Sequence, residues 1–217
     1  SNSHPMIAWE WLVATLGDGP ARAAYPHFAR FIDERDQHAG TKVVPPCMQD
    51  AMNHYQTSYD CVKQLFVVLL NAGGIANWRV RAQIDPGIAD SVYVRNFHSE
   101  MRALTALIAN HGSTAAVRTA CRHAWDARHA SDLSVLNDVA AFQRFVFSYV
   151  MQNGEHSAMQ LIQGHIRDAS MDFMSLHFDG CAMFYPQGTG STAAPVNEVI
   201  DIINHRLKHE AGRLLKV

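Results

Sequence analysis

Little in this chain marks it for a particular chemistry. Its four cysteines, Cys47, Cys61, Cys121 and Cys181, include no C-x-x-C pair. That excludes a zinc ribbon and a thioredoxin-type redox pair, and leaves too few thiols for a disulfide scaffold. Small buried thiols in the cytoplasm or another reducing compartment are the expectation. No signal peptide is legible. Long apolar runs are missing too. The most apolar stretch, Leu-Phe-Val-Val-Leu-Leu at 65–70, is far short of the ~20 residues of a membrane span, so no membrane partner is expected. Charge is scarce: 18% of residues are charged and the formal net charge is −2. Whole-surface attraction to nucleic acid or anionic lipid is excluded, although arginines can cluster without moving the total. The chain contains no E-x-x-H, which removes the di-iron bundle. Gly-Thr-Gly-Ser-Thr at 188–192 has no lysine and follows no expected strand, so it is not a phosphate loop. There is no internal repeat.

What is present is helical periodicity in a chain that is 48% hydrophobic. A first helix starts near Pro5 and stops at Gly17. A second occupies 20–37 and is kinked or divided by Pro26. A loop over 38–46 leads to one long helix or two in series. These stop at Asn71-Ala72-Gly73-Gly74, where glycine accepts the left-handed conformation. Residues 75–94 read as loop with a short helical turn. Helices follow over 95–112, from the cap Ser113 to 130, over 131–154 with Gly154 as the stop, and over 154–178. A last one begins near Ala194. The fold class is therefore all-α: one domain of about eight helices in an irregular bundle or orthogonal array. The run 61–70 predicts a buried helix. The stretch 181–195 predicts a long loop, of the kind that is often functional.

Four groups of residues are candidates for a site. His205 and His209 stand at i, i+4, a metal-binding spacing. They lie opposite the stripe of Val196, Val199, Ile200, Ile203 and Leu207, beside Arg206 and Lys208, which repel a cation. A solvated, metal-free face is expected, and no cofactor. His177 falls in the apolar stripe of the 154–178 helix and His165 at its edge; core-edge histidines are the expectation. Cys61 and Cys181 read as structural thiols more than as nucleophiles. Arg79, Arg81, Arg95 and Arg102, with Arg118, Arg122 and Arg128 further on, could line a groove for a nucleic-acid backbone. The interspersed Asp85, Glu100 and Asp126 favour a solvated face instead.

Trp9 and Trp11 fall about 200° apart on a helix, so one of them is expected to face a partner, a terminal element or solvent. Phe184 and Tyr185 lie in the long loop. These four aromatics point to a non-catalytic interaction or assembly protein that binds a protein partner or itself. The alternatives are a self-assembling nucleic-acid-coating subunit, like a coat or nucleocapsid protein, and a helical enzyme with a histidine- or cysteine-based site.

Overall fold

A computed structural model describes residues 3–38, 41–168, 172–177 and 180–184. Ten α-helices lie among them, nine of seven or more residues: α1 (Ser3–Leu16), α2 (Asp18–Ala24), α3 (Pro26–Gln37), α4 (Pro46–Tyr55), α5 (Tyr59–Leu70), α6 (Ile75–Arg81), α7 (Val92–Asn110), α8 (Ala115–His129), α9 (Leu133–Leu136) and α10 (Val139–Asp168). A 3-10 turn at Gly112–Thr114 and one hairpin, β1 (Asp172–His177) with β2 (Gly180–Phe184), complete the described elements. The chain divides into two compact units, Leu16–Tyr149 and Ser1–Thr15 with Val150–Val217.

The unit Leu16–Tyr149 is held by an aromatic cluster. Phe31 of α3 stacks on Phe66 of α5 at 5.0 Å, and Phe66 meets Phe97 of α7 edge-on at 5.3 Å. Phe28 adds an edge contact to Phe97. Offset and T-shaped pairs of this kind add roughly 0.5–1.5 kcal/mol each beyond the area they bury. Val94, Met101, Leu104 and Ile108 continue the buried face of α7 at the i, i+3, i+4 spacing that puts them on one side of a helix. A second cluster sits under α8, where Trp125 touches Phe142 and Phe145 of α10, and the Arg122 guanidinium lies 3.8 Å over the Phe142 ring.

Helix α5 forms as expected. Ser58 caps it by accepting the Cys61 N–H, and Val62, Leu65, Phe66 and Leu69 are buried. Val67 is exposed and Cys61 half-buried, however. A helix of this pitch cannot turn all six consecutive side chains of 65–70 to one core. The turn after α5 also differs from expectation. Ala72, not a glycine, takes the left-handed conformation, with φ 52°. Gly73 is required for another reason: a Cβ there would sit 2.8 Å from Val68 Cγ1 and 2.9 Å from the Val68 carbonyl oxygen.

Residues 75–94, expected to be mostly loop, contain α6 and the start of α7. The Trp78 indole N–H donates to the Cys61 carbonyl at 2.8 Å, which docks α6 on α5 and overrides the weak propensity of Trp-Arg-Val-Arg.

In the other unit, α1 buries a wide face. Ile7, Ala8, Trp9, Trp11 and Leu12 are each 6% exposed or less. Of the three places expected for the second tryptophan, a partner, a terminal element or solvent, this burial rules out solvent. Ile-Ala-Trp and Trp-Leu spread apolar side chains over most of the helix circumference, with Met6, Glu10 and Val13 half-buried, so both tryptophans fall within the buried face. Gly154 does not stop a helix either: α10 runs through it for 30 residues. One interior glycine costs only about 1 kcal/mol against alanine, which is less than an apolar helix gains by continuing. The expected 154–178 helix ends at Asp168. Residues Asp172–His177 pair antiparallel with Gly180–Phe184, Leu176 opposite Cys181, with an irregularity between Phe173 and Ser175.

Candidate functional site

A cleft in Leu16–Tyr149 lies between α7 and the first turns of α10. It has a volume of about 430 Å³, with Ala72 in its lining. Its cations come from two helices. Arg95, His98 and Arg102 of α7 stand at i, i+3 and i+7, spacings that share one helix face, and Arg144 faces them from α10. Ser99 and Gln143 add neutral polar groups. Ala103, Ala106 and Ala140 keep the floor shallow. No carboxylate lines it, and its one aromatic ring is the His98 imidazole.

The arginines here differ from most of those elsewhere in the unit. Arg22 is bound to Asp18 and Asp33, Arg30 to Glu34 and Asp50, Arg79 to Asp90, and Arg122 to Asp126. Arg118 donates to the Ala109 carbonyl at 3.0 Å. Among the described residues, Arg95, Arg102 and Arg144 have no ion pair. Three planar, permanently charged donor forks with no carboxylate between them form a receptor for anionic oxygen.

His98 sits between Arg95 and Arg102 and is half-buried. The turn that the left-handed Ala72 creates lies beside it, with Ala72 also in the lining. Burial and the Arg102 charge lower the His98 pKa from the usual imidazole value; Asp90 and the Gly73 backbone oppose this less strongly. Thr105, one turn beyond Arg102, has a buried hydroxyl with no hydrogen-bond partner.

Of the four arginines singled out by sequence, two enter this cleft. Arg79 serves the fold: besides Asp90 at 2.7 Å, its guanidinium donates to the Asp85 carbonyl at 2.9 Å and to the Ile88 carbonyl. Arg81 is exposed at the end of α6, outside the cleft. Sequence reading missed His98 and Arg144. The face Arg-x-x-His-Ser-x-x-Arg over 95–102 was a legible signal for the first; the second comes from a helix far off in the chain.

Trp9 and Trp11 are buried and offer no exposed aromatic surface. Phe184 ends β2; Tyr185, His205 and His209 lie outside the described residues. Cys61 is the third residue of α5, and hydrogen bonds from the Ser58 and Thr57 hydroxyls lower its thiol pKa. Cys47 is fully buried, and desolvation with the nearby Glu34 pushes its thiol up to about 12. Among the described residues, no helix is long and apolar enough to cross a membrane, and no three histidine, cysteine or carboxylate side chains gather as a metal site would need. No family model, no curated protein and no solved structure matches this chain.

Proposed function

We propose that this chain is a non-catalytic binding protein that holds a single-stranded nucleic acid by its phosphates in the Arg95–Arg102–Arg144 cleft. The observation that carries the reading is the convergence of three arginines without ion pairs from two helices, in a unit where most other arginines have a carboxylate or carbonyl partner. Arginine suits phosphate because its planar fork donates two parallel hydrogen bonds. The lining holds no phenylalanine, tyrosine or tryptophan, which supports backbone contact over base stacking, and so binding with little sequence preference. A net charge of −2 restricts the attraction to this locality.

The test is fluorescence anisotropy with labelled single-stranded oligonucleotides over a salt series. Neutralising three phosphates on a single strand gives a slope of about −2 for log K against log salt. Arg95→Ala and Arg102→Ala should each make that slope shallower by roughly 0.7. Arg128→Ala, on an exposed position of α8 outside the cleft, should leave it unchanged. Absence of binding, or binding indifferent to all three substitutions, would reject the proposal.

A further inference from the structure

We infer that His98 is the fourth cation of the cleft: it takes up a proton from solution when a phosphate of the strand enters, so that binding strengthens as pH falls. This rests on the reading above and adds a regulated residue to it.

Position comes first. His98 is three residues after Arg95 and four before Arg102 on one face of α7, and it lines the cleft. A neutral imidazole donates from one ring nitrogen and accepts at the other; only the protonated ring donates from both, as an anionic oxygen among arginines calls for.

The surrounding charge comes next. Arg95 and Arg102 share α7 with His98, and Arg144 faces the cleft from α10. Asp90, just before α7, is the one carboxylate that acts on His98, and it is bound to Arg79 at 2.7 Å. The turn at 72–73 brings no charge. The free cleft thus opposes a proton on His98, by burial and by the Arg102 charge. A phosphate oxygen against these arginines cancels that repulsion and favours the imidazolium.

The sign follows. The pKa of His98 is lower in the free protein than in the complex. Below the free value the ring is charged in both states, and above the bound value it is neutral in both; affinity is level in each range. Between the two, affinity rises up to about tenfold for each unit that pH falls.

The experiment is calorimetric titration of the full chain with a short oligothymidylate, at one pH slightly below neutral, in two buffers of different ionisation enthalpy, with anisotropy repeated across pH. The expected result is net proton uptake and tighter binding at lower pH. His98→Gln, which keeps a polar side chain but takes up no proton, should bind without proton uptake and with a flat pH profile. Binding that depends on Arg102 but is independent of buffer and pH overturns the role of His98 alone. So does proton uptake that survives in His98→Gln. Failure of the unaltered chain to bind overturns this inference together with the reading beneath it. If His98→Gln does not fold, the imidazole of the unaltered protein can be titrated by NMR with and without the oligonucleotide; a pKa that does not rise on binding rejects the inference.

Discussion

Glu100 of α7 closes the first turn of α3 through His27. Its carboxylate accepts from the His27 ring Nδ1 at 2.6 Å and from the backbone N–H groups of His27 and Phe28 at 3.2 and 2.8 Å. The N-terminal N–H groups of a helix have no partner inside it, and Tyr25 supplies no side-chain cap. A residue 73 positions away does so instead. Asn96, one turn earlier on α7, reaches the other ring nitrogen of His27 at 3.2 Å. Glu100→Ala is expected to destabilise the protein by about 2–3 kcal/mol, since it strands several partly buried donors at once. Urea unfolding gives the value directly. A change within ~0.5 kcal/mol, the size usual for surface substitutions, would show that water satisfies those donors equally well.

That carboxylate also shows why a sequence can mislead. Glu100 was one of the acidic residues that weighed against a basic groove over 79–102. Folding turns it to the side of α7 that meets α3, while Arg95 and Arg102 line the cleft. Periodicity carries the helices themselves, because 3.6-residue spacing reflects local geometry. It does not carry the partner of a polar side chain, which depends on helices far apart in sequence. Arg144 entered no candidate list for that reason. The hairpin at 172–184 was hidden differently: Phe173 and Leu176 fit a helical stripe as well as a short strand, and runs this short do not separate the two periods. Asp179-Gly180 was the available turn signal.

Arg79 should behave as a structural residue. It ties α6 to Asp90 and to two carbonyls of the 85–88 segment. Arg79→Lys keeps the charge but loses the fork that reaches three acceptors. A loss of about 1–3 kcal/mol is expected, with the salt slope of oligonucleotide binding unchanged. A reduced slope at undiminished stability would place Arg79 in the binding surface.

The thiols should separate by reactivity. Alkylation requires the thiolate. Cys61 is half-buried at a helix N-terminus with a lowered pKa, whereas Cys47 and Cys121 are buried with raised ones. Iodoacetamide at neutral pH, followed by peptide mapping, should label Cys61 well before these two in the folded protein. Urea should abolish the difference. Equal labelling without denaturant would contradict the described burial.

Thr105 offers the clearest case of an unmet hydrogen bond. Its residue is 2% exposed and its hydroxyl has no partner, a state that costs about 1–3 kcal/mol relative to a satisfied one. Valine has nearly the same shape and no hydroxyl to desolvate. Thr105→Val should therefore raise stability by about 1 kcal/mol, read as a higher urea midpoint at unchanged slope. Oligonucleotide affinity should stay the same, because the hydroxyl is shut off from solvent while the cations beside it are untouched. A lower midpoint would mean that the hydroxyl does hold a bond in solution, and lost affinity at higher stability would make it a contact to the ligand.

Gly73 links the fold to the cleft, and its substitution tests both together. The Gly73 N–H donates to the Val68 carbonyl at 2.9 Å, and a Cβ on this residue would lie equally close to that oxygen. Backbone cannot yield as a flexible side chain does, so the turn itself has to move. Gly73→Ala is expected to cost about 1–3 kcal/mol, in the range of an overpacked site. The same movement would displace the Gly73 backbone, which favours the charged form of His98, and shift Ala72 in the lining of the cleft. Oligonucleotide binding should then weaken and its dependence on pH should change, while the salt slope, set by the arginines, should hold near its original value. Loss of stability with both binding and pH profile unaltered would separate this turn from the site.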